Sequence, residues 1–431
     1  MKAILENYRK TYDSLLPEIN ANIEKYRKGN FKIKVQKSDG TPIKAMVKAQ
    51  QTGHKFDFGT CVVMLGAMGE KEQAYRDAII NLFNFVTTTF CWNITETKPG
   101  KFRFDEGMEE IYRRPPAERV WQFAKENGLR AKGQPLFCDR WVPDWASKDA
   151  DELREQWISY VKTVAERYDG KFYLFDVVNE SFDAKRSPDM AWLKEGEFNY
   201  VKWVLETAGK IFSDKVILER NEATNVHFGR FADRYYTELR EILDRGIRLD
   251  SMGMQYHYFN GKHFADVHIG GGACSLEAMY KTYQRYNTLG IPMYISEITI
   301  PTVYEGMSLA EGEELQAEIL EKLYRLWFSV PNMQGIVYWN LKDGDAWENE
   351  GDCLGCLMDS YMRKKKSYYT LEHLIKREWN TCVSAQSDEN GALSFSGFYG
   401  DYEVEVRHEN TIVKKKATFD KNESAFIVEL D

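Results

Sequence analysis

Apolar and polar positions along this chain repeat with two different periods, and the change of period divides it. From residue 57 to about 380, short apolar runs alternate with stretches of helical spacing. Leu315, Ile319, Leu323 and Leu326 share one helical face, and Pro331 stops that helix before the run Gly335-Ile336-Val337-Tyr338-Trp339. Leu276, Met279, Tyr283 and Tyr286 share another face; Gly290 ends it, and Pro292-Met293-Tyr294-Ile295 begins a strand. The same reading places strands near 57–61, 84–89, 129–136, 172–178, 215–219 and 251–256. Eight strand–helix repeats of this size predict an α/β fold, a closed (β/α)8 barrel.

Both ends of the chain read differently. Residues 1 to about 28 have the pattern of a polar helix that stops near Gly29. Phe31-Lys32-Ile33-Lys34-Val35 then alternates with period two, Asp39-Gly40 marks a turn, and residues 45–49 resume the alternation, which predicts a hairpin. After residue 380, short strands near 391–395, 402–406 and 425–430 follow, punctuated by Asp388, Asn390 and Gly391. Neither piece has enough apolar faces to stand alone. Residues 1–56, as helix and hairpin, and residues 381–431 are therefore expected to form one small β module around a catalytic barrel spanning 57–380.

The 431 residues suffice for such a barrel plus a module, and 43% of them are hydrophobic. Aromatic residues reach 14%. They suit a core of large side chains and equally a cleft whose rings stack on sugar faces. A net charge of −8 argues against a nucleic-acid partner, which needs a basic face. Seven cysteines without framework spacing argue against a disulfide scaffold; Cys353 and Cys356 form a C-x-x-C with no second pair, read here as a loop near the barrel rim. No stretch is long and apolar enough to span a bilayer, and the N-terminal residues lack a signal-peptide core, so cytoplasmic residence is expected unless a leader has been trimmed away.

Active sites of barrels sit at the C-terminal ends of the strands. Two apolar strands end abruptly in a carboxylate there: Phe172-Tyr173-Leu174-Phe175-Asp176-Val177-Val178-Asn179-Glu180 and Met293-Tyr294-Ile295-Ser296-Glu297. Either glutamate alone has a plain alternative, a rim salt bridge or a helix cap. Together, on the fourth and seventh strands, they match what glycoside cleavage needs. One protonated carboxyl donates to the leaving oxygen, while one ionised carboxylate about 5–5.5 Å away attacks the anomeric carbon. Two carboxyls and water suffice for that reaction, so no cofactor or metal is expected.

Around these residues the chain resembles family 10 of the glycoside hydrolases, the endo-β-1,4-xylanases. Asp176 to Glu180 match the D-V-V-N-E acid/base strand, and Ser296-Glu297-Ile298 is similar to the nucleophile turn. Gly253-Met254-Gln255-Tyr256-His257-Tyr258 matches a G-M-Q-x-H-Y segment, and residues 338–347 are similar to the end of the eighth strand. The resemblance implies Glu180 as acid/base and Glu297 as nucleophile. It also implies that Asn179 holds the sugar 2-hydroxyl, His257 bonds the nucleophile, Gln255 lines the site, and Trp339 and Trp347 form platform and wall. For Gln255 and His257 the alternative is a polar strand end satisfied inside the barrel, and for the two tryptophans it is core packing.

The departures fall on sugar-binding positions. An E-N-x-M-K-W segment after the second strand is replaced by Thr89-Phe90-Cys91-Trp92-Asn93-Ile94, so Phe90 and Asn93 stand where an Asn and a Lys grip hydroxyls. After the third strand Asp139 stands for a sugar-binding His and Cys138 for a Trp, while Thr299 replaces an Asp beside the nucleophile. Arg140, Trp141 and Asp144 lie in the same loop, and two readings stand for them: a different grip on the sugar, or surface and packing roles. A site built to hydrogen-bond particular hydroxyls discriminates strongly, so these changes alter which sugar fits. The expectation is a retaining β-glycosidase acting on an oligosaccharide or polysaccharide, by resemblance xylan or xylo-oligosaccharides. Two alternatives stand beside it: the same mechanism on another β-linked glycone, and a non-catalytic carbohydrate-binding protein on an enzyme scaffold.

Overall fold

The structure, a computed structural model, describes residues 2–182 and 200–430. Eight strands close into a barrel: β1 Asp57–Cys61, β2 Phe85–Thr89, β3 Arg130–Gln134, β4 Leu174–Asn179, β5 Ile217–Glu222, β6 Ser251–His257, β7 Met293–Thr299 and β8 Met333–Tyr338. Each pairs in parallel with the next, and β8 pairs back onto β1, so the barrel has no free edge. Strands such as β1 and β7 are buried along their whole length, since the helices cover the outside and side chains fill the inside. The fold class read from the sequence is the one observed.

Local chemistry explains where the helices begin. Ser308 and Glu311 form a reciprocal capping box at the start of Leu309–Ser329, and Asp149 and Ser275 cap Ala150–Tyr168 and Leu276–Asn287. The apolar stripe Leu315, Ile319, Leu323 and Leu326 is buried against the barrel.

The ends depart from the expected assembly in two ways. The N-terminal helix Lys2–Arg27 packs on the barrel rather than in the β module. Its buried face of Tyr8, Tyr12, Ile19 and Ile23 joins the barrel's core, with Tyr8 Oη 3.0 Å from Nε2 of His268, and Arg9 forks onto Glu318 at 2.6 and 2.7 Å. The second departure is the hairpin around Asp39-Gly40. It closes for one bridge, Gln36 with Pro42, and then opens. Strand Lys28–Gln36 is already flanked on both edges, by Ala392–Phe398 and by Ala425–Glu429, so Met46–His54 has no edge to join. It runs instead in a second sheet, ordered Cys382–Gln386, Met46–His54, Gly400–His408, Thr411–Phe419. The two sheets enclose a core of their own containing Phe31, Ile33, Val35, Val47, Val404, Val406 and Phe419, with the rings of Phe31 and Phe419 stacked at 4.7 Å. The module is thus a small sandwich stitched from both ends of the chain.

Candidate active site

At the C-terminal mouth of the barrel lies a cavity of about 770 Å³. Glu180, Glu297, Asn179, Gln255, His257, Trp339 and Trp347 all line it. Backbone irregularities turn the two glutamates. Strand pairing shifts register between Asp176 and Val178 on β4, and between Ile295 and Ile298 on β7, and such bulges re-aim side chains near active sites. Glu180 itself has φ 54°, left-handed backbone that costs a non-glycine residue of order 1 kcal/mol or more. Its N–H donates to the carbonyl of Asn221 at 3.3 Å, and Gln255 Nε2 donates to its Oε1 at 2.9 Å, which holds the side chain in place.

A chain of three amides joins the carboxylates. Gln255 Nε2 donates both to Glu180 Oε1 and, at 3.2 Å, to Asn179 Oδ1. Asn179 Oδ1 also accepts from Asn221 Nδ2 at 3.1 Å, and the same Nδ2 lies 3.3 Å from Glu297 Oε1. Ser296 Oγ donates to Asn221 Oδ1 at 2.7 Å, which fixes which way that amide faces. Gly253 of β6 makes room for the chain: a Cβ there would lie 2.5 Å from Asn221 Oδ1 and 2.7 Å from Glu219 Oε1.

Glu297 is buried and hydrogen-bonded at both oxygens. Oε1 accepts from Gln134 Nε2 as well as Asn221, and Oε2 faces Nε2 of His257 at 3.0 Å. The other ring nitrogen of His257 lies 3.0 Å from Thr299 Oγ1, and the ring stacks on Phe259 at 5.0 Å. An ionised Glu297 Oε2 can only accept, so Nε2 donates to it, and Thr299 Oγ1 bonds the remaining ring nitrogen. Thr299 thereby orients the ring without bringing a charge of its own.

Asn93 and Asp139 do not line the cavity. Asn93 sits in a helical turn, Trp92–Thr95, anchored from beneath by the buried Trp92, whose Nε1 donates to Glu96. The buried Asp139 turns its Oδ1 back to the N–H of Arg140 and so starts the short helical turn Asp139–Trp141. That turn carries Arg140 and Trp141, not Asp139, to the cavity wall. Phe90 is core, packed edge-to-face with Tyr168, Phe172 and Phe175. Cys353 and Cys356 are buried free thiols.

Gln134, Asn221, Arg113 and Arg114 escaped the reading of the sequence. Gln134 and Asn221 are polar residues at C-terminal strand ends, the signal that marked the glutamates. Asn221 was passed over because β5 was expected to end at 219. Arg113 and Arg114 come from the long segment between β2 and helix Ala117–Glu126, which shows no periodicity to place them.

A family model for glycosyl hydrolase family 10 matches residues 47–374. Among relatives, the anti-sigma-I factor RsgI6 of Acetivibrio thermocellus is 25% identical over 399 residues, covering 91% of this chain but 46% of its own length. This chain thus spans less than half of that relative. Endo-1,4-beta-xylanase A of Caldicellulosiruptor saccharolyticus is 23% identical over 297 residues, covering 64% of this chain and 81% of that one. Xylanase 10B of Thermotoga petrophila, crystallised with xylobiose, superposes with a TM-score of 0.61 at 21% identity, covering 75% of this chain and 95% of that chain. Since the family model spans most of the sequence and the barrel superposes on that xylanase's fold, the chain belongs to glycosyl hydrolase family 10.

Proposed function

We propose that the chain is a retaining β-glycosidase of the endo-1,4-β-xylanase type, with xylan or xylo-oligosaccharides as substrate. The observation that carries the reading is the amide chain from Glu180 through Gln255, Asn179 and Asn221 to Glu297, which ties two carboxyls to one cavity. In this reading Glu297 attacks the anomeric carbon as the bond to the leaving oxygen breaks, and Glu180 gives that oxygen its proton. The resulting glycosyl ester on Glu297 is then cut by water, whose proton returns to Glu180. Asn179, fixed by two amide donors on its Oδ1, has its Nδ2 left to hold the sugar 2-hydroxyl, a contact that strengthens as positive charge builds on the ring. Trp339 and Trp347 supply apolar faces for the sugar rings.

Incubation with xylo-oligosaccharides, followed by NMR of the first product, tests the reading. The newly formed reducing end should be the β-anomer, and Glu180→Gln and Glu297→Gln should each lose about 10²–10⁴-fold or more in kcat. An α-anomeric first product, or full activity in either variant, overturns it. A second reading, the same chemistry on a differently substituted chain, is favoured by Arg113, Arg114 and Arg140 on the cavity wall.

A further inference from the structure

Three arginines line the cavity beside four glutamates, Glu180, Glu297, Glu348 and Glu350, and among the described residues no ion pair joins the two sets. Arg113 and Arg114, from the segment after β2, and Arg140, from the turn after β3, all line it. Among the described residues, none of the three is ion-paired with a carboxylate. Arg113 is 2% exposed; its two terminal nitrogens donate to Asn340 Oδ1 at 3.2 Å, and its Nε is buried without an acceptor among the described residues. Arg114 lies over one face of the indole rings of Trp141 and Trp347, at 5.5 and 5.6 Å, and its N–H edge is left for partners in the plane. One of its N–H groups donates to the carbonyl of Arg113 at 2.9 Å. The guanidinium of Arg140 has no hydrogen bond within the described residues and stands exposed on the same wall.

The bonds to the catalytic carboxylates include those from Gln255 to Glu180 and from Gln134, Asn221 and His257 to Glu297. A guanidinium fork fits a planar or tetrahedral oxyanion far better than it fits a sugar hydroxyl, and a concave site focuses its field. We propose that these arginines bind an acidic substituent on the glycan, the carboxylate of a uronic acid, with a sulfate ester sharing the same oxyanion chemistry. The inference rests on the glycosidase reading for its cleavage assay and on binding alone for its second arm.

The test compares xylotetraose, the same oligosaccharide with a glucuronic acid branch, and a sulfated one, on the wild type, Arg140→Gln and Arg114→Gln/Arg140→Gln. The wild type should prefer an acidic probe over the neutral one by about 10- to 100-fold in kcat/KM, the range of one or two charged hydrogen bonds. Whichever acidic probe is better identifies the source of the oxyanion. Arg140→Gln should lower that preference while keeping its activity on xylotetraose, and the double variant should abolish the preference. Equal activity of the wild type on neutral and acidic chains, or an equal loss on both in Arg140→Gln, overturns the inference and leaves the glycosidase reading standing. If no probe is cleaved, the glycosidase reading falls, and calorimetry still decides this one: the acidic probes must bind the wild type about 10-fold or more tighter than the double variant. Arg140 is exposed, so its substitution does not threaten folding.

Discussion

The hydroxyl of Thr299 lies 3.0 Å from Nδ1 of His257, on the side of the ring remote from Glu297. That bond holds the ring in its orientation towards Glu297. Thr299→Val should therefore lower kcat by roughly 3- to 10-fold through loss of one neutral hydrogen bond, with little change in KM. If Thr299→Val keeps the kcat of the wild type, the orienting role of Thr299 is wrong.

Asn221 is the joint of the amide chain, since its Nδ2 faces Asn179 and Glu297 together. Asn221→Ala would leave Glu297 Oε1 with Gln134 alone and release Asn179 from one of its two donors. The expected outcome is a 10- to 100-fold loss in kcat with KM nearly unchanged, because a positioned donor is worth most where charge develops. A variant that loses KM alone would mean that Asn221 serves binding rather than the reacting pair.

The sequence carried the barrel and the two glutamates because both are written locally: strand and helix periods alternate, and each glutamate breaks an apolar run at its end. Partners that meet across the barrel are not written that way. Gln134 and Glu297 are 163 positions apart, and only closure of β8 onto β1 gives the barrel a common mouth. The hairpin around Asp39-Gly40 failed for a related reason. Its turn signal is real, but Lys28–Gln36 finds better partners nearly four hundred residues away, and a turn residue cannot report competition for a strand edge. Asn93 and Asp139 were placed by register with a motif, yet Asn93 sits in a helical turn and Asp139 turns its Oδ1 to the N–H of Arg140, and neither lines the cavity.

Beneath the site, Lys132 and Glu219 form an ion pair inside the barrel, 1% and 0% exposed. Burial pulls the lysine's pKa down, but the charges of Glu219 and Asp176 more than offset that and hold it raised. Burial also pushes Asp176 well above the usual carboxylate range. Lys132→Met strands Glu219 beside Asp176 and should cost about 3–5 kcal/mol of stability, read from denaturant midpoints. The double variant Lys132→Met/Glu219→Leu should recover much of that loss, since no lone charge is left in the core. A double variant no more stable than the single one would show that the pair is not what the barrel interior depends on.

His54 sits where the sandwich meets the barrel, ringed by Phe56, Phe58, Phe328 and Phe398, and its Nδ1 accepts the N–H of Phe56 at 3.0 Å. Burial, with help from the charges of Arg27, Arg130 and Lys376, lowers its pKa to about 3. The unfolded chain takes up a proton below about pH 6.5 while the folded one refuses it until about pH 3. The contribution of His54 is thus fully present above pH 6.5 and declines as pH falls towards 3, by about 1.4 kcal/mol per pH unit, or about 2 kcal/mol by pH 5. His54→Asn, whose Oδ1 can still accept the Phe56 N–H, should be less stable than the wild type at pH 7 because ring packing is lost. Its deficit should shrink steadily on acidification, as seen in denaturant melts at pH 7, 6 and 5. Other buried groups titrate in the same window, His227 and His268 among them with pKa values lowered to about 4, but they are common to both proteins and cancel in the difference. A gap between wild type and variant that stays constant from pH 7 to 5 would show that His54 takes up its proton in the folded state as readily as in the unfolded one.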